Sequence, residues 1–207
     1  MFFIIDKENR HLYEDELDQM FILRKKIFID ERKWDLPHEN GREIDQFDTE
    51  GCDYILCFDE DGRVIAGSRF MSFSSPNLTK TVFGELLYDF EFDQSTIEMT
   101  RAFVRSDRRN GPYFGLFLCA KFEYLLWKRA SWLIETLDAR FMPMLLETGW
   151  NIKVIGRPAS DENGSFVSIA TPVEWRSLAL PRKRFGVDQP LLYRLDEDNS
   201  ADACMVA

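Results

Sequence analysis

Hydrophobic and polar positions alternate with two different periods along this chain, and each change of period marks out an element. Residues 1–5 form a short apolar run, the mark of a buried strand. Over residues 13–30 the period becomes helical, with Leu17, Met20, Phe21, Arg24, Ile27 and Phe28 near one face. Residues 30–50 are polar, contain Pro37 and Gly41, and predict a long loop; ordered loops of that length often carry function. Residues 53–59 and 63–73 read as two strands joined at Asp61-Gly62, a hairpin signal. Residues 74–77 break the pattern, and 97–105 resume it as a strand. Asn110-Gly111-Pro112 opens a helix over 113–129, with Phe117, Cys119, Ala120, Tyr124 and Trp127 turned inward. A strand over 131–137, a short helix over 140–147 ending at Gly149, and strands over 150–156 and 165–171 complete the series. Strands flanked by helices in this order predict an α/β fold, a mixed β-sheet with helices on both faces. Residues 1–195 are expected to form one domain without internal repeats, and the small, acidic segment 196–207 to be a disordered tail.

Charge and composition exclude several functions. The formal net charge of −10, from 26 basic and 36 acidic side chains, argues against a nucleic-acid binder. No apolar run approaches the roughly 18 residues a membrane span needs, and residues 1–5 lack the features of a signal peptide. Cys52, Cys57, Cys119 and Cys204 have no metal-ligand spacing, and neither His11 nor His38 lies near a cysteine pair. A reduced, cytoplasmic protein without a metal is the expectation. The 18 Phe and five Trp suit a core, and equally a pocket for an acyl chain or an adenine ring.

Three clusters offer chemistry. Arg24 and Phe28 are four apart on one helical face, with Trp34 following. Asp45 and Asp48 flank Phe47 in the polar loop and could hold an ammonium group. Strand alternation places Glu98, Thr100 and Ala102 on one face, with Arg101 and Phe103 on the other. A Glu within an apolar strand is costly to bury unless paired or used. Each cluster alone also fits a bland role: a snorkelling arginine, a solvated turn, an edge-strand ion pair.

Taken together, their order and spacing resemble the LuxI-type autoinducer synthases. The series is Arg24, Phe28, Trp34, Asp45, Asp48, Arg69, Glu98 and Arg101. Local strings agree: Ile44-Asp45-Gln46-Phe47-Asp48 is similar to the family's Glu-x-Asp-x-Phe-Asp loop, and Glu98-x-Thr100-Arg101-x-Phe103 stands where the family has Glu-x-Ser/Thr-Arg. The resemblance spans about residues 10–156. It implies a fold akin to the GNAT N-acyltransferases, and acyl-homoserine-lactone synthesis for quorum sensing. S-adenosylmethionine would supply the amine and the lactone carbons, and an acyl thioester on acyl carrier protein or coenzyme A the acyl group. Arg24, Phe28 and Trp34 would then wall the adenosylmethionine, with Asp45, Asp48, Arg69, Arg101 and Phe103 orienting it. Glu98 would be the general base, and no cofactor or metal would be required.

Two departures from related patterns bear on specificity. Arg108-Arg109-Asn110-Gly111-Pro112-Tyr113 keeps the Arg and first Gly of the usual pyrophosphate loop, but has Tyr113 where a small residue belongs. On the strand lining the acyl pocket, Glu135 falls where a hydroxyl residue is common, with Thr136 adjacent; a charge in that wall implies a shifted register or a different pocket. Arg105, Arg108 and Arg109, with Lys121, Lys128 and Arg129, are expected to gather as a basic patch for the donor's phosphates or an acidic carrier protein. The alternative readings are a GNAT-like N-acyltransferase acting on another amine, and a non-catalytic acyl- or nucleotide-binding sensor.

Overall fold

The computed structural model describes residues 1–161, 164–195 and 204–205. Its strands are β1 (Phe2–Ile5), β2 (His38–Glu39), β3 (Arg42–Glu43), β4 (Asp53–Phe58), β5 (Val64–Ser72) and β6 (Ile97–Val104). They continue as β7 (Trp132–Asp138), β8 (Lys153–Val154), β9 (Ala159–Asp161), β10 (Gly164–Pro172), β11 (Leu192–Arg194) and β12 (Cys204–Met205). The helices are α1 (Glu14–Arg24), α2 (Leu78–Phe83), α3 (Tyr113–Trp127), α4 (Met142–Glu147) and α5 (Trp175–Phe185).

Among the described residues ten strands make one sheet, in the order β12-β11-β1-β4-β5-β6-β7-β10-β8, with β9 added beside β10. The β4–β5 hairpin turns at Gly62, whose φ of +74° is open to glycine at no steric cost. Two pairings are parallel, β1 with β11 and β6 with β7. Alternate residues feed two large cores, and Phe73, Ile134, Ile155 and Ala170 form a smaller third. Ile55, Cys57, Phe70, Met99 and Leu133 face α3 and α5, whereas Tyr54, Leu56, Met71 and Phe103 face α1. Among the described residues no helix is long and apolar enough to cross a membrane.

Several expectations change. The first helix is regular only to Arg24; residues Lys25–Glu31 continue it as a π-helical segment, which widens the turn carrying Phe28. Helix α2 was hidden in the run after residue 77, and α5 by the proline at 181 within it. In α3 nearly the whole circumference from Gly115 to Leu125 is buried, while Trp127 is partly exposed. Only Lys153–Val154 of the expected strand over 150–156 forms. The tail expected to be disordered lies outside the described residues except at Cys204–Met205, which pairs antiparallel with β11.

Two features position the site. The parallel pairing of β6 with β7 ends after Ile97↔Leu133 and Glu98↔Ile134, and beyond it the strands diverge. Between β5 and β6 the register shifts, from Gly67↔Phe103 to Arg69↔Thr100, so Ser68 opposes both Arg101 and Ala102. At this bulge Arg101 adopts φ +55°, a left-handed conformation rare for a non-glycine residue. The bulge overturns simple alternation. Phe103 joins the α1-side core, and Arg101 meets the same carboxylates as residues of that face.

Next to the bulge, Gly67 makes possible the close approach of β5 to β4. A Cβ there would lie 2.8 Å from the Ile55 carbonyl and 2.4 Å from a Leu56 methyl carbon. Gly67→Ala is therefore expected to destabilise the fold by about 1–3 kcal/mol. Equilibrium denaturation measures this, and unchanged stability would show that β4 gives way freely beside Gly67.

Candidate active site

Three arginines and three carboxylates form a closed ring beneath the α1 face. Arg24 Nε bonds Glu43 at 2.6 Å, and its two Nη atoms grip both oxygens of Asp48 at 2.7 and 2.9 Å. Arg69 Nη1 lies 2.8 Å from Asp48 Oδ1 and 2.5 Å from Asp45 Oδ1. Arg101 closes the circuit, with Nη2 at 2.8 Å from Asp45 and 2.9 Å from Glu43. All six side chains are almost completely buried. Charges balance around the ring, each group touching two of opposite sign, as burial of ions requires. The loop carrying the carboxylates folds upon itself, with Asp45 N–H donating to Asp48 and Phe47 N–H to Asp45. Tyr54 O–H adds a bond to Asp48 at 2.8 Å. Burial pushes the Asp48 carboxyl up, but Arg24 and Arg69 outweigh it and hold it well below the usual range.

Glu98 lies nearby in a different setting. It is fully buried, and its oxygens accept backbone N–H bonds from Leu78 at 3.1 Å and Thr79 at 2.7 Å, at the start of α2. Asn77 caps that helix by accepting from Lys80 N–H. Burial raises the Glu98 pKa, against the lowering effect of the Thr79 and Leu78 bonds and of the Arg69 charge. The Thr79 hydroxyl, which lowers the pKa of this carboxyl, is 2.8 Å from the Thr136 hydroxyl, and Thr136 is 2.8 Å from Ser168. A chain of hydroxyls thus leads from the buried acid to β7.

Where β6 and β7 diverge, a cavity of about 420 Å³ opens. Thr100, Arg101 and Ala102 border it from one strand, and Glu135, Thr136 and Leu137 from the other. Phe28 and Trp34 stack at its rim, with ring centroids 5.4 Å apart and planes 13° from parallel. Arg32 lies over both rings and over Phe141. Of the nine substrate and base residues expected from sequence, Phe28, Trp34 and Arg101 reach the cavity wall. Arg24, Asp45, Asp48, Arg69, Glu98 and Phe103 stand behind it.

The family model of the autoinducer synthases matches residues 8–180. The chain belongs to the autoinducer synthase family. The isovaleryl-homoserine lactone synthase of Bradyrhizobium diazoefficiens is 32% identical, over 100% of this chain and 97% of that protein. A solved structure of a CoA-dependent acyl-homoserine lactone synthase with SAM and isopentyl-CoA superposes with a TM-score of 0.88. It is 30% identical, with 95% of this chain and 93% of that one covered. An acyl-CoA N-acyltransferase from Pseudomonas aeruginosa shares the fold alone, at 12% identity and TM-score 0.57 over 82% of this chain and 98% of that one. The GNAT-like fold expected from sequence is therefore present, and this autoinducer synthase is an acyltransferase.

Sequence reading missed Glu43 in this autoinducer synthase, although it is the Glu of the Glu-x-Asp-x-Phe-Asp string. Thr79 was missed with α2. Arg32, two residues before Trp34, was given no role. Glu135 does line the cavity, without a register shift, because Lys121 pairs with it at 3.1 Å. Lys121 consequently leaves the surface patch to which it was assigned. Lys128 pairs with Asp53. Arg105 and Arg108 approach Asp59 and Asp107, and Arg109 binds Glu31 at 2.6 Å.

Removing one member of the ring leaves its partners charged and buried. Asp48→Asn is expected to cost about 3–5 kcal/mol of stability, measured by denaturant unfolding. Because the folded pKa of Asp48 is depressed, its contribution is complete above the ordinary carboxylate value of about 4 and is lost as pH falls toward the folded value. The melting temperature should therefore drop on acidification below about pH 4, and less so in Asp48→Asn. Equal acid sensitivity in the two proteins would remove Asp48 from this role.

Proposed function

We propose that the protein is an acyl-homoserine-lactone synthase that takes its acyl group from a coenzyme A thioester and its amine from S-adenosylmethionine. The observation that carries this reading is the joining of one buried carboxylate, Glu98, to a cavity opened between diverging strands. An α-ammonium has a reference pKa of about 8 and must lose a proton before it attacks a thioester. Glu98, with its raised pKa, accepts that proton through the Thr136 and Thr79 hydroxyls rather than by direct contact. The amine nitrogen bonds to the acyl carbon, and the thioester carbonyl becomes an oxyanion. The break in the ladder register at Arg101 and Ala102 brings backbone N–H groups of a strand irregularity to the cavity, which suits its stabilisation. Collapse expels the thiol. The substrate carboxylate then attacks its own γ-carbon and releases 5′-methylthioadenosine, which mainly requires that the chain be held folded.

In this reading Phe28, Trp34 and Arg101 touch the adenosylmethionine. Arg24, Asp45, Asp48 and Arg69, with Phe103, hold that wall from behind. Coenzyme A is favoured as carrier because the CoA-dependent relative aligns over nearly the whole chain. A cytoplasmic location fits both substrates.

Glu98→Gln tests the base. Turnover, followed as methylthioadenosine release, should fall roughly 10²- to 10⁴-fold. The wild-type rate should rise with pH as Glu98 ionises, with a midpoint above the ordinary value of about 4.3, and the variant should lack that limb. Both Glu98 oxygens accept N–H bonds, so the new amide sets a donor against a donor and should also lower the melting temperature. Near-normal turnover would leave Glu98 as structure only.

The donor's phosphates are proposed to meet Arg105, Arg108 and Arg109, ahead of the α3 N-terminus. Arg108→Glu with Arg109→Glu should raise KM for acyl-coenzyme A and leave KM for adenosylmethionine nearly unchanged. Because added salt screens exposed charges, it should reproduce the effect in the wild type. Indifference of the donor KM to both would shift its docking to apolar contacts.

A further inference from the structure

The cavity wall contains a buried ion pair that the chemistry above does not use. Lys121, on the third turn of α3, holds Nζ 3.1 and 3.2 Å from the two oxygens of Glu135. Their side chains are 1% and 8% exposed, and both line the cavity. Lys121 Nζ also lies 4.8 Å from the centre of the Trp150 ring. Neither charge has another hydrogen-bond partner among the described residues. An ammonium has three donors and a carboxylate about four acceptor sites, so hydrogen-bonding capacity remains on both groups. The wall around them is apolar, built from Phe117, Leu118, Leu137 and Met144.

Stability alone gives no account of this pair, since apolar residues of similar volume are often as stable or more so. An alkyl chain pressed against it would exclude water and leave the spare donor and acceptors unmet, which is unfavourable. A distal carboxylate would meet the Glu135 charge, and a distal ammonium the Lys121 charge. A neutral hydroxyl can accept from Nζ and donate to a carboxylate oxygen at once. We propose that the Lys121–Glu135 pair is the acyl-specificity determinant of this cavity, selecting an acyl group with a hydroxyl at its far end over the isosteric alkyl chain.

This rests on reading the part of the cavity at Lys121 and Glu135 as the acyl subsite of the reaction above. Its test uses methylthioadenosine release with saturating adenosylmethionine. The donors are coenzyme A thioesters in matched pairs, an ω-hydroxyacyl chain against the alkanoyl chain with methyl in place of hydroxyl, from butanoyl to octanoyl. At the length that reaches the pair, the hydroxy member should have a kcat/KM roughly tenfold or more above its partner. Lys121→Met with Glu135→Leu should abolish or reverse that ratio. Equal or lower rates for the hydroxy member at every length would overturn the proposal, as would an unchanged ratio in the double variant. The wild-type series decides the matter even if the double variant does not fold. Absence of methylthioadenosine with every coenzyme A and carrier-protein donor would instead overturn the reaction itself, an outcome distinct from release without discrimination.

Discussion

The ring of Arg24, Glu43, Arg101, Asp45, Arg69 and Asp48 is the constraint on which the rest of the site depends. Ions so fully withdrawn from water persist only when each meets its opposite with good geometry. The ring achieves this by tying α1, the polar loop, β5 and β6 together at one point. It turns an otherwise irregular loop into a fixed wall. It also supports the left-handed backbone of Arg101, because the side chain can reach Glu43 and Asp45 from that conformation. The strand bulge and the ion ring are thus two views of one arrangement, and the cavity begins where they meet.

The two acidic centres show how neighbouring carboxylates diverge. Asp48 is surrounded by guanidinium groups and remains ionised, whereas burial discourages the charge of Glu98 more than the N–H bonds of Leu78 and Thr79 support it. A group committed to its charge suits scaffolding. One whose charge is discouraged suits proton transfer, and the hydroxyls of Thr79 and Thr136 give it a route to the cavity.

Much of this was legible in the sequence wherever local pattern and tertiary demand agree. The β4–β5 hairpin, the strand holding Glu98 and the helix after Pro112 follow directly from periodicity and turn chemistry. Glu43 was not legible in the same way. It lies in a polar segment where every carboxylate looks solvated, and its burial depends on Arg101, 58 residues away. Helix α2 is six residues long and rich in Thr, Val and Phe, types that favour strands. A cap at Asn77 and a carboxylate from a later strand hold it. The bulge defeated alternation because one additional residue inverts the faces beyond it. Glu135 looked misplaced only because its partner resides on a helix whose exposed face could not be read from a nearly uniform apolar pattern.

Neighbours on β7 carry opposite duties: Glu135 turns to α3 and Thr136 to Glu98. A slip of one residue against β10, where Thr136 now opposes Ser168, could bring Glu135 to the place of Thr136 and Ile134 to that of Glu135. Glu135 would then crowd Glu98 in a dry site, two like charges together, while Lys121 would face an apolar side chain with no counter-charge. The misaligned sheet would be penalised on both faces at once. Adjacent residues of β7 whose partners lie on different elements therefore also fix the register of the strand that carries them.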